Sequence, residues 1–352
     1  MKDLNKKTVT YILNIIFIAF AGIMVYRIFF GSSEIGDIIE DVRKADTFWT
    51  VTGLIVLVAF VCCESWIIHY MLRIYKIKIS FLRCIRYSFV GFFYSCITPS
   101  SSGGQPMQIV YMKRDGIKIG YSTLILWIIT IAYKSALVIL GTVFLVFKRS
   151  FLEAALGEWL WLLILGYCLN VGLLSIMILV LIKPALVQRV GIKLIKVLSA
   201  LHIIKNVEKY VLKVARISRN YSVGAQYVRT HLRVCVRVML ISLLQRLLLS
   251  SITFIVYKAY GLTGDSFLTI VAIQTVIGIM VEMMPLPGAA GISEACFMVL
   301  FECVFGALVK PAMLLSRGIS FYALLMLGGI ITLGSAFFAR KHPVEEQDFD
   351  VK

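Results

Sequence analysis

Two short knots of Pro, Gly and small polar residues interrupt long apolar sequence: Thr98 to Pro106 (TPSSSGGQP) and Met284 to Glu294 (MPLPGAAGISE). Backbone of this kind cannot satisfy its own N–H and C=O groups. It is therefore kept away from lipid and accepted only where it lines a cavity inside protein. The surrounding sequence is of membrane type, with 60% hydrophobic and 16% charged residues and a mean hydropathy of +0.89. These values exclude an ordinary soluble domain and predict an all-α polytopic membrane protein. Two interruptions, one in each half, point to a transporter-like binding site.

About six apolar runs are long enough to cross a bilayer, which takes roughly 20 residues. The first, Val9 to Phe30, follows Lys2, Lys6 and Lys7 and reads as a retained signal anchor with its N-terminus in the cytoplasm. An acid-rich loop, Gly31 to Thr47, fits the outer face. The second span, Phe48 to Met71, returns to the inner face, where Arg73, Lys76, Lys78, Arg83 and Arg86 gather as the positive-inside rule requires. Spans over Gly120 to Phe147, Trp159 to Ile182, Val238 to Tyr260 and Pro311 to Phe338 complete the set. Arg340, Lys341 and His342 put the C-terminus in the cytoplasm, and a disordered acidic tail is expected over residues 341–352.

Tyr87 to Ile97 is too short to cross, the first knot follows at once, and Lys113, Arg114 and Lys118 come soon after. A re-entrant hairpin that enters and leaves on the cytoplasmic side keeps those cations inside; one normal span would put them outside. Phe267 to Met284, the second knot and Ala295 to Leu308 form a second hairpin, entering from outside. Two oppositely oriented hairpins imply an inverted repeat. Spacing suggests a register, since Pro99 precedes Gln108 by nine positions as Pro285 precedes Glu294.

The net charge of +17 concentrates in Lys183 to Arg237, where Glu208 is the lone acid. Val190, Leu194, Val197, Leu201, Ile204, Val207, Val211 and Val214 form a helical stripe there, with Lys205, Lys209, Lys213 and Arg216 off it. This predicts a basic amphipathic helix against the inner leaflet. Nucleic acid is not expected, because no recognition module accompanies the charge. The eight cysteines contain no CxxC pair and read as small buried hydrophobes, and neither metal nor cofactor is implied. No nucleophile elbow, P-loop or HExxH occurs.

A glycine-rich tip that starts a short helix offers backbone N–H groups to an anion such as a lipid phosphate. The candidate substrate-binding residues are therefore Ser100, Ser101, Ser102, Gly103, Gly104, Gln105 and Gln108 at the first knot, and Gly288, Gly291, Glu282 and Glu294 at the second. The glycines allow close approach or unusual dihedrals, or only tight helix packing. Ionisable residues inside spans are functional candidates. Lys134 and Arg246 would meet a phosphate, and Glu282 or Glu294 an ammonium or a proton. The alternatives are internal pairing, for example Lys134 with Glu64, and for Glu294 a favourable charge in a helix first turn. Lys258 and Arg317 lie nearer span ends and are expected to snorkel.

ITPSSSGGQPMQIVYMKRDGI and MPLPGAAGISEACF resemble the lysylphosphatidylglycerol synthase/flippase membrane-domain family, the membrane half of the multiple peptide resistance factor. The likeness runs over roughly residues 8 to 340. Many members carry Gly-Glu in the first motif; here Gly104 is followed by Gln105, so no carboxylate role carries over to that position. The resemblance implies a flippase-like domain over residues 1–340 that moves an anionic or aminoacylated phospholipid between leaflets of the cell membrane. It also implies a contribution to resistance against cationic antimicrobial peptides. Full-length members add a soluble domain that transfers lysine from aminoacyl-tRNA to phosphatidylglycerol. This chain ends soon after its last span, so the translocating part is expected and not the transferase. A lysyltransferase and a secondary transporter of a small solute are the alternatives. Expected partners are phospholipids, with a separate aminoacyl-lipid synthase and a homodimer as further possible ones.

Overall fold

A computed structural model describes residues 40–148, 156–183 and 232–337, with a few isolated positions between 189 and 199. The expected first span, most of the basic amphipathic segment and the acidic tail lie outside the described residues. Within them the chain is helical. Five stretches are long and apolar enough to cross a bilayer: Thr47–Ile74, Ile119–Phe147, Gly157–Ile182, Leu232–Ala259 and Ile292–Ser335. Large apolar side chains such as Ile55, Trp66, Trp161, Ile164, Ile330 and Leu333 point outward, as expected where lipid is the solvent. The protein is an all-α, multi-pass membrane protein.

The helices are α1 (Thr47–Ile74), α2 (Phe81–Ile97), α3 (Gly104–Arg114), α4 (Ile119–Phe147), α5 (Leu160–Ile182), α6 (Leu232–Ala259), α7 (Phe267–Val281), α8 (Ile292–Phe305), α9 (Val309–Arg317) and α10 (Leu324–Phe337). A π-helical segment, Gly318–Ala323, joins α9 to α10 into one continuous helix. Local sequence explains several boundaries. The Asp46 carboxylate accepts from Phe48 N at 2.7 Å and caps α1, and Ser266 caps α7 in the same way. Gly306, at φ 53°, ends α8. The final long helix consequently starts at Val309, slightly before the expected Pro311, which fits in its first turn.

Helices α1 to α4 recur as α6 to α10. α1 and α6 each have 28 residues, and the pairs α2–α3 and α7–α8 are helical hairpins of 17 and 11 against 15 and 14 residues. α4, with 29 residues, matches the continuous helix over 309–337. α1 and α6 pack antiparallel. Asp46 N donates to Ala259 O at 2.9 Å at one end, and Arg237 donates to the Tyr70 hydroxyl at 3.1 Å at the other. Each hairpin follows the C-terminal end of its long helix, so the two enter the bundle from opposite ends. The repeats also exchange elements. α2 packs on α10, where Gly328 lies against Phe93, and α7 packs on α4, where Gly141 lies against Ile279.

The two knots meet. Pro99 and Pro287 form an antiparallel bridge, and Ser100 Oγ donates to Met284 O at 3.3 Å. This sets the internal register at 188 positions, the step from Pro99 to Pro287. The register expected from sequence, with Pro285 as the partner of Pro99, is two positions out. Backbone conformation agrees with the new register. Ser100 and Ser101 have φ 49° and 54°, and Gly288 and Ala289 have φ 54° and 51°. Ser102 N donates to Pro99 O at 3.1 Å, and Ala290 N to Pro287 O at 3.0 Å. Both tips are therefore turns of the type I′ class, with two consecutive left-handed residues.

Candidate functional site

The long helices carry two apolar clusters separated by a polar layer. On α1, Leu57, Phe60 and Val61 belong to one cluster and Ile67, Ile68 and Met71 to the other, with Glu64 between. On α4, Ala132 and Leu137 fall in different clusters, with Lys134 between. On α6, Val238 and Ile252 do, with Arg246 between. The second hairpin brings Glu282 to the same level, directly after α7.

Glu282 is the centre of this layer. Its carboxylate pairs with Lys134 Nζ at 2.7 Å and, through the other oxygen, with the Arg246 guanidinium. Lys134 also donates to Asn170 Oδ1 at 3.2 Å and approaches Met283 Sδ at 3.4 Å. Asn170 Nδ2 donates to the carbonyls of Gly166 and Ile279 at 2.9 and 3.2 Å, which ties α5 to α7. Arg246 lies over the Tyr133 ring, 4.0 Å from its centroid. Lys134 and Arg246 are 9% and 7% exposed, so two cations share one carboxylate away from bulk solvent. Buried charges persist only when paired and hydrogen-bonded.

The internal-pairing reading therefore holds for Lys134, but with Glu282 and not with Glu64. The two cations do not stand open for a phosphate in this state; Glu282 occupies both. Glu64 instead accepts from Gln108 Nε2 at 2.6 Å, and the buried Gln245 amide nearby has neither polar atom hydrogen-bonded.

Glu294 belongs elsewhere. Its carboxylate accepts from Gly291 N at 2.7 Å and Ser293 Oγ at 2.8 Å, which satisfies a free N–H at the start of α8. It also pairs with Arg317 Nε at 2.9 Å, and Arg317 donates a second bond to Gly288 O at 3.0 Å. Arg317 does not snorkel. The tip of the second hairpin lies beside it and gives it a carboxylate and a carbonyl at depth. Glu294 therefore holds the second knot in shape, away from the Glu282 pairs.

At the first knot, Ser100, Ser101 and Ser102 are exposed. Thr98 Oγ1 accepts from Gly103 N at 2.9 Å, doing here what Glu294 does at the second tip. Gln105 donates to Thr130 on α4. Gly103 has an ordinary φ of −83°. Gly104 serves close packing, since a side chain there would meet Ser95 and the Gly91 carbonyl on α2. The unusual dihedrals lie at Gly288 and Gly291, with φ 54° and 87°, and at Ser100 and Ser101. Sequence reasoning missed Asn170 and Tyr133. The only signals were a lone Asn in an apolar helix and a Tyr next to Lys134.

Bilayer-length apolar helices around a buried charge cluster, with two hairpin tips meeting beside it, define a class, the all-α multi-pass membrane proteins. Within that class, the family described as "Lysylphosphatidylglycerol synthase TM region" matches residues 12–328. The chain belongs to that family. No curated protein and no solved structure matches it.

Proposed function

We propose that the protein is a lipid flippase of the cell membrane. It moves an anionic or aminoacylated phospholipid, such as lysylphosphatidylglycerol, from the inner to the outer leaflet, and so contributes to resistance against cationic antimicrobial peptides. Both hairpins are re-entrant in this reading, and both chain ends are cytoplasmic. The head group passes between the tips while the acyl chains stay in lipid. A separate aminoacyl-lipid synthase supplies the cargo.

The observation that carries this reading is the ratio of two buried cations to one carboxylate beside the meeting point of the tips. A lipid phosphate that displaces Glu282 from either cation restores the charge balance. The freed carboxylate then suits the ammonium of an aminoacyl head group. The exposed hydroxyls of Ser100, Ser101 and Ser102 are neutral donors on the facing tip.

The test is translocation in reconstituted vesicles. Lysylphosphatidylglycerol is placed in the inner leaflet, and its appearance outside is read with an amine reagent that does not cross the membrane. Lys134→Ala and Arg246→Ala are expected to abolish translocation while unfolding in detergent stays cooperative. Wild-type rates in both variants would sink the site assignment. The family description itself favours a second reading, a phosphatidylglycerol lysyltransferase. Lysyl-lipid formed from lysyl-tRNA and phosphatidylglycerol by this chain alone would establish it.

A further inference from the structure

Glu64 lies in the polar layer yet takes no part in the Glu282 pairs. Among the described residues no cation pairs with it. Its neighbours come from three helices. Gln108 of α3 donates at 2.6 Å, the buried Gln245 amide of α6 lies near it with neither polar atom hydrogen-bonded, and Tyr133 of α4, which lies under Arg246, is a titratable neighbour. α2 contributes Gly91, where any side chain would stand in the path of the Gln108 amide. Both Gln108 and Gln245 are buried, at 4% and 0% exposure.

The second repeat does without the amide of Gln108. At the step of 188 positions set by Pro99 and Pro287, which also carries Gly104 at the start of α3 to Ile292 at the start of α8, Gln108 corresponds to Cys296, which is 1% exposed. An ionisable group at membrane depth is a functional candidate. Neutral amides can serve either of its protonation states, because an amide donates through nitrogen and accepts through oxygen.

We propose that Glu64 is a proton-binding site that links proton movement across the membrane to the first hairpin. Ionised, Glu64 accepts the Gln108 N–H. On taking a proton from the aqueous phase it becomes a neutral carboxylic acid. Its O–H then donates to a Gln108 or Gln245 amide oxygen, after that amide turns over. The charge-assisted bond to Gln108 is lost, and charge-assisted bonds are the stronger kind. Gln108 sits on α3, the helix that leaves the first tip. Protonation therefore loosens the hold on the tip that carries Ser100 to Ser102, and deprotonation restores it.

The proposal rests on the flippase reading for what the tip movement achieves, and two measurements separate the two ideas. Infrared spectra of the purified full chain in detergent, recorded across a pH series, should show a protonated-carboxyl stretch that titrates. Glu64→Gln should remove it, and Gly91→Ala should shift it by displacing Gln108. In reconstituted vesicles an imposed proton gradient should speed wild-type lipid translocation several-fold. The ratio of rates with and without the gradient should fall to one in Glu64→Gln. A carboxyl band untouched by Glu64→Gln, or a gradient response that survives it, overturns the proposal. A band lost in Glu64→Gln from a protein that moves no lipid at all supports the proton site and removes the flippase reading instead.

Discussion

At the tip of the first hairpin Pro99 leads into Ser100 and Ser101; at the second, Pro287 leads into Gly288 and Ala289, through the same left-handed backbone. Their surroundings differ. The second tip is flanked by Glu282, which holds Lys134 and Arg246, and by Glu294, which holds Arg317. The first is held by neutral groups: Thr98 on Gly103, Gln105 on Thr130, and Ser100 on Met284. Repeat symmetry thus sets the shape of both tips, while the ionised partners of the tips stand at the second. The first hairpin keeps its own ion pair at the far end of its arms, where Arg86 meets Asp115.

The largest test of that contrast is Glu282→Gln. It strands Lys134 and Arg246 side by side without a counter-charge, and removing one partner of a buried pair costs about 3–5 kcal/mol. Denaturant unfolding in detergent should show a loss of that size. A loss below about 1 kcal/mol would mean that the charges are not what fixes the second hairpin. Arg317→Gln is next. It leaves the bonds from Gly291 N and Ser293 to Glu294 in place but removes bonds to a carboxylate and a carbonyl, for an expected cost of about 2 kcal/mol. Proteolysis near residues 284–294 should rise with it. The smallest effects are expected at the first tip. Ser101→Gly relieves a non-glycine residue at φ 54°, so stability should stay within about 1 kcal/mol of wild type. Ser100→Ala should fall in the same range. A collapse of stability in either serine variant would break the comparison, because it would show the first tip to be as firmly held as the second.

The features that carry over from sequence to structure are those written in runs and interruptions. Apolar length located the long helices, and Pro/Gly clusters located both hairpin tips. What stayed hidden depends on helix rotation and on contacts between distant elements. Lys134 sits in a helix that is apolar on all sides, so nothing in the run says whether it turns toward Glu64 or toward Glu282. Pro285 and Pro287 are two residues apart, and the bridge to Pro287 and the φ values at Gly288 and Ala289 decide which one matches Pro99. Arg317 reads as a residue near a span end because hydropathy along one helix does not reveal that another element's tip will lie beside it. The lone Asn170 was readable as polar but not as the partner of Lys134, which lies on another helix.

The contact between Pro99 and Pro287 limits how far the two tips can bind each other. A pair of strands lengthens by recruiting N–H groups on either side, and proline has none to give. The left-handed residues that follow each proline then turn the chain away at once. The two tips therefore meet at a latch with a single tooth, backed by one hydroxyl bond from Ser100. Each such bond contributes about 1 kcal/mol net, so the latch can release by thermal motion without unwinding any helix.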